Sequence, residues 1–125
     1  MSDFAKQIAK GLSSIRDIAG RQITYKRGGE SLTLTAAVGD RNVDVATDYG
    51  VVEKVRVRQY LFSAKDLVLS NVKTQPQRGD LIVETDAAVS RTYEITSPGG
   101  SVPDWQYSDA GRSTIRVFTR LIDES

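Results

Sequence analysis

From residue 21 onward, apolar side chains recur at every second position, and that period commits the chain to β-structure. Ile23 and Tyr25 alternate with Thr24 and Lys26. Leu32, Leu34, Ala36 and Val38 alternate with Ser31, Thr33, Thr35 and Ala37. Successive side chains of a strand point to opposite faces, so a segment of this kind buries one face and leaves the other polar. Between the two runs, Lys26-Arg27-Gly28-Gly29-Glu30 reads as a hairpin turn, because glycine reaches the positive φ that tight hairpins require.

The pattern continues in short pieces. A strand runs from Val51 to Phe62, with Val55 and Val57 against Arg56 and Arg58. Ser63-Ala64-Lys65-Asp66 reads as one helical turn capped by Ser63, followed by a buried Leu67-Val68-Leu69. Pro76 presets φ and Gly79 tolerates a positive value, so the two bracket a reversal before the strand residues Leu81-Ile82-Val83. Tyr93-Glu94-Ile95 is a second such strand, and Ser97-Pro98-Gly99-Gly100 a loop. The last strand spans Ser113 to Ile122. Ile115, Val117, Thr119 and Leu121 share one face, and Arg116, Phe118, Arg120 and Ile122 the other. Apolar residues on both faces predict cover on both sides.

Two segments break the period. Residues 3–19 place Phe4, Ile8, Leu12, Ile15 and Ile18 in one stripe at helical spacing, with Lys6, Lys10 and Asp17 opposite, which predicts an amphipathic helix ending at Gly20. Its stripe is the expected cover for the last strand. Residues 39–50 read as a long loop, turn-rich at Gly39–Asn42 and Thr47–Gly50 with a short Val43-Asp44-Val45 piece between that could form a small strand, a length that in a compact domain calls for a purpose. The expectation is a single domain over residues 1–125, mainly β. It comprises a small antiparallel barrel of about six strands over residues 21–122, a packed helix at 3–19 and a loop at 39–50. Leu32, Leu34, Val55, Val57, Tyr93, Ile95, Ile115 and Val117 form its expected core.

Composition removes whole classes of chemistry. The chain has no Cys and no His, so disulfides, thiolate or imidazole zinc sites and every triad built on His or Cys are excluded. No paired-carboxylate spacing supports a hydrolase, and neither an enzyme nor a cofactor is expected. The net charge of +1, from 17 basic and 16 acidic residues, lacks the basic excess of a dedicated DNA-binding domain. No apolar run is long enough to cross a bilayer, and Lys6, Gln7 and Lys10 interrupt any signal-peptide core, so no membrane partner is expected.

The Pro76-to-Asp80 turn feeding an apolar strand, the Tyr93-Glu94-Ile95 strand about a dozen residues on, the acidic segment at 39–50 and the Tyr60-Leu61-Phe62 strand end occur in an order that resembles a known family. These are the head-completion or stopper proteins, small β-barrels that join the head of a tailed bacteriophage to its tail. The resemblance implies a structural subunit without enzymatic activity. It implies a ring of six or twelve copies between the portal or its adaptor and a tail terminator or tail-tube protein. Packaged double-stranded DNA would pass through that ring. It also implies a virion location at the head–tail interface, reached by assembly in the cytoplasm of a bacterial host. Another tail-side ring such as a tail terminator, and a monomeric OB-like module for single-stranded nucleic acid, are the alternatives.

Against that background Asp40, Asp44 and Asp48, spaced by four, are candidate channel or gating residues. Repeated around a ring they would make a negative collar that repels phosphate. A solvated loop is the plain alternative. A calcium loop of the EF-hand type would need Gly at its sixth position and Glu at its twelfth, which the segment lacks, so no metal is expected. Candidate interface residues are Ile8 in the helix stripe, Arg56 and Arg58 on one strand face, Arg116 and Arg120 on the last strand, and Trp105. The arginines suit carboxylates of a neighbour or DNA phosphate. The single Trp suits an interface anchor, or else packs on the end of the fold. Arg78-Gly79-Asp80 spells the integrin-recognition tripeptide, but Gly79 already has a turn to make.

Overall fold

The computed structural model describes residues 20–125, and the helix expected at 3–19, with Ile8, lies outside them. The described chain is mainly strand, with almost no helix. β1 (Gly20–Arg27), β2 (Glu30–Ala46) and β3 (Val52–Ser63) are followed by a single 3-10 turn (Ala64–Asp66). Then come the short pair β4 (Val68–Leu69) and β5 (Val72–Lys73), β6 (Leu81–Asp86), β7 (Val89–Ile95), β8 (Trp105–Tyr107) and β9 (Thr114–Glu124). The large sheet runs β3-β2-β1-β6-β7-β9-β8, and a further β3–β9 pairing joins its two sides. Six strands thus close on themselves. β8 continues the edge of β9 where β7 leaves off, with Trp105 opposite Val117 and Tyr107 opposite Ile115.

Local chemistry sets the corners. Gly28 has φ +58 at the β1–β2 hairpin, where Arg27 faces Glu30. Gly79 has φ +93 in the reversal before β6, closed by the Asp80 amide donating to the Gln77 carbonyl at 3.0 Å. Ser63 stands before the 3-10 turn, but its side chain makes no capping bond; the turn is held instead by the Ala64 amide donating to the Ser113 carbonyl at 2.8 Å.

The inward faces follow the alternation. Ile23, Tyr25, Leu34, Ala36, Val38, Tyr60, Phe62, Ile82, Tyr93, Ile95, Ile115 and Val117 form one buried core. Leu32 and Val55, both expected there, are only partly buried. Tyr25 meets Phe62 edge-on at 6.2 Å, and Tyr60 meets Tyr93 at 5.9 Å. Ala64, Leu67 and Leu69 join this core from the 3-10 turn and β4, beyond β3. Phe118, on the outer face, is buried as expected. The chain leaving β7 and entering β8 clamps it. The Phe118 carbonyl accepts from the Thr96 amide, and its amide donates to the Asp104 carbonyl, both at 3.0 Å. Ile122 is exposed among the described residues.

The expected loop at 39–50 is corrected. β2 does not stop at Val38 but runs to Ala46, paired with β3 from Ala37–Leu61 to Ala46–Val52. Only the reversal between these strands is a turn. There the Thr47 amide donates to the Val51 carbonyl at 2.8 Å, and Gly50 takes φ +76. Since β1 pairs with β2 only as far as Gly20–Ala37, and β9 pairs with β3 only as far as Thr119–Arg58, the outer half of this hairpin is a two-stranded arm among the described residues. At about 3.3 Å per residue the arm projects roughly 25 Å. Val43 and Val45 still alternate with Asp44 and Ala46 there, and Val45 is buried beside the loop at Gly99, but Asp40, Asn42 and Asp44 lie exposed. Sequence composition then resembles a loop although the backbone is ladder.

Candidate functional site

Each end of the strand ring holds one buried carboxylate gripped by a tyrosine and an arginine. At the end nearer the β1–β2 turn, Asp80 is 4% exposed. It accepts a hydrogen bond from the Tyr25 hydroxyl, one from Arg27 Nη2 at 2.8 Å, and one from the Gln77 amide at 3.0 Å. Arg27 also donates to Thr74 Oγ1 at 3.0 Å and to the Gln75 carbonyl at 2.6 Å. The Pro76 turn is thereby stapled to β1. Asp80 is thus enclosed, so the Arg78-Gly79-Asp80 tripeptide does not present its carboxylate to a receptor.

At the end that bears the arm, Glu84 is 3% exposed and lies among Tyr60, Arg58 and Arg21. Arg58 reaches it twice, from Nε at 2.6 Å and Nη2 at 2.9 Å, Arg21 donates from Nη1 at 2.8 Å, and the Tyr60 hydroxyl donates as well. The Arg58 guanidinium also stacks 5.2 Å from the Tyr93 ring centroid. Burial alone would raise the Glu84 carboxyl. Hydrogen bonds from Arg58 and Tyr60, with the charges of Arg58 and Arg21, outweigh it and hold the carboxyl below its usual range. Burial and the neighbouring carboxylates push both tyrosine hydroxyls well above theirs, so they remain donors. Neither carboxylate was singled out from sequence. The available signal was parity: Glu84 shares the inward face of β6 with Ile82, and a carboxylate on an inward face needs partners.

Arg58 links this buried cluster to the arm. Its Nη1 lies 3.6 Å from Asp40, which also binds Arg56 Nη2 at 2.9 Å. The three aspartates singled out from sequence are therefore not a cluster. Asp40 is opposite Arg58 in the ladder and tied to two arginines, Asp44 is opposite Lys54, and Asp48 sits exposed in the turn. Strand spacing sets Asp40 and Asp44 about 13 Å apart. The arm carries mixed charge along its length, with Asp48 exposed in its turn.

The remaining candidates fall in different places. Trp105 is half-buried against the core and stacks edge-on with Tyr107 at 5.2 Å, so most of it already has a partner. Arg120 reaches Glu94 at 3.2 Å from an exposed position. Arg116 lies on the outer face with Nε buried and without a hydrogen-bond partner among the described residues; burial and the like charge of Arg41 push its guanidinium below the usual value. Tyr60 and Phe62 are buried, which removes them as a base-stacking platform.

Between the arm and the end of β9 an open groove of about 620 Å³ is lined by Asp40, Arg56, Arg58, Val55, Arg120 and Leu121. Thr96, Ser97 and Pro98 also border it. Beyond them the loop lies against the arm: a Cβ on Gly99 would come 2.9 Å from Val45, and one on Gly100 would come 3.2 Å from the Ala46 carbonyl oxygen.

The profile of a family described as phage head–tail joining protein matches residues 3–125, nearly the whole chain. No curated protein matches the sequence.

Proposed function

The chain belongs to the phage head–tail joining protein family, a family of virion structural proteins, and from that premise we propose that it is a connector subunit of the stopper or head-completion type. In this reading the closed strand ring is a small barrel that serves as a rigid body. Several copies, six or twelve, form a ring between the portal or adaptor and the tail terminator or tail-tube protein. DNA passes through the middle of that ring.

The observation that carries the reading beyond family membership is the arm. A body pinned at both ends by buried ion pairs, with a ribbon projecting from one end, is built to hold a fixed shape while reaching a neighbour. The polar groove beside the arm, walled by arginines, suits a protein surface better than a small apolar ligand.

The test is genetic and structural. Deleting the gene from the cognate phage or prophage should leave DNA-filled heads and finished tails that do not join, and supplying the chain in trans should restore joined, infectious particles. Particles that join normally without the chain would overturn the proposal.

A further inference from the structure

The large apolar residues exposed on the described chain are unevenly placed. Tyr49, Val51 and Val52 lie at the arm tip, and Leu121 and Ile122 lie on β9 beside the groove; the other two, Val68 and Val72, belong to the small β4–β5 hairpin. The tip and groove-side patches differ in charge as well as position. At the tip, Asp48 and the 93% exposed Tyr49 stand in a narrow turn. In the groove, Arg56 and Arg120 keep side chains 74% and 69% exposed above Val55 and Leu121.

The groove walls are also unpaired. β3 from Val52 to Val57 has β2 on one side and no strand on the other among the described residues. β9 from Arg120 onward has β7 on one side and no strand on the other among the described residues. Free edges offer N–H and C=O groups to an incoming backbone.

We propose that the arm tip of one copy seats in the groove of the next copy. Tyr49 then covers Val55 and Leu121, and Asp48 lies between Arg56 and Arg120. The tip cannot fold back into its own groove, because the ladder from Asp40–Arg58 to Ala46–Val52 keeps the hairpin extended. Two different patches meeting in this way make a head-to-tail contact, which propagates and closes into a ring when the rotation allows. The inference rests on the ring reading above and supplies its subunit contact. Opposite charge fixes the orientation, and the tyrosine supplies the anchor.

The chain has no cysteine, so introduced thiols are unique. Val51→Cys at the tip and Ile122→Cys on β9, next to the groove residue Leu121, are combined in one chain and carried into assembled particles, then treated with a short bis-maleimide. A ladder of covalent multimers of the chain is expected, lost when Ile122→Cys is replaced by Val72→Cys on the β4–β5 hairpin. Joined particles that contain the chain and yield no multimers would overturn the tip-in-groove contact while leaving the ring reading intact. Cross-links to a different virion protein would overturn it too, by naming another occupant. Particles that join without the chain would remove the ring reading itself. As a second arm, Asp48→Arg and Arg120→Glu should each reduce the yield of joined particles by about tenfold or more, and the two together should restore it. No recovery in the double variant, with both singles folded by thermal melting, would also contradict the contact.

Discussion

The Tyr60 hydroxyl donates to the Glu84 carboxylate across the interior of the strand ring, and neither residue is more than 3% exposed. Tyr60 comes from β3 and Glu84 from β6, strands that are not neighbours in the sheet. The bond therefore spans the ring, and Arg58 and Arg21 complete it from β3 and β1.

Removing one member takes a hydrogen bond from partners that are buried, Tyr60 and Glu84, or partly exposed, Arg58 and Arg21. Tyr60→Phe should cost about 1–3 kcal/mol, the penalty for a buried acceptor that loses a donor. Glu84→Ala should cost more, about 3–5 kcal/mol, because Arg58 loses its main counter-charge. Urea unfolding reads both as a lower midpoint with an unchanged slope. A Glu84→Ala midpoint equal to the parent's would show that the carboxylate is not held as described.

The same pair sets an acid limit. A carboxyl held below its unfolded value contributes stability that is present above the unfolded pKa and is lost as pH falls through the folded one. For Glu84 the loss begins below the ordinary value of 4.5 and deepens with further acidification. Unfolding free energy measured from pH 7 to pH 2 should fall across that window. In Glu84→Gln the fall should be shallower, since the titrating group is gone.

The alternation in β2 makes a sharp contrast between neighbours on one face. Leu34 is 3% exposed, whereas Leu32 is only partly buried near the hairpin turn. Leu34→Ala should cost about 2–5 kcal/mol and Leu32→Ala clearly less. Equal losses by thermal or urea melting would place the end of the core elsewhere.

Gly99 couples the loop after β7 to the arm. Its φ of +137 belongs to a region that is essentially glycine's, and a Cβ there would press on Val45. Gly99→Ala should cost about 1–3 kcal/mol, and adding Val45→Ala should recover only the steric part. Hydrogen exchange in β2 from Val43 to Ala46 should quicken in Gly99→Ala. Unchanged exchange there would mean that the loop does not buttress the arm.

What the sequence shows and hides follows from where side chains find partners. Ile23 to Val38 and Ile115 to Val117 face one core, so their period of two is visible and the strands were legible. Gly39 to Ala46 lie outside that core, and of their side chains only Val45 is buried, beside Gly99. Asp40, Asn42 and Asp44 are held extended by pairing with Arg58, Arg56 and Lys54, partners ten or more residues away that a local reading does not weigh. The arginines at 56, 58 and 120 stand out in the sequence because charge on a strand is conspicuous, and the structure sets all three along the groove. Glu84 and Asp80 were not, since burial of a carboxylate is decided by distant tyrosines and arginines rather than by its own neighbours in the chain.

The most direct test of the proposed role is a cryo-electron reconstruction of the head–tail junction in the cognate particle. The account predicts a closed ring of copies of this fold between portal or adaptor and tail, with the strand ring intact around Glu84 and each arm reaching the adjacent copy. A junction whose density at that level is fully accounted for by other proteins would contradict it.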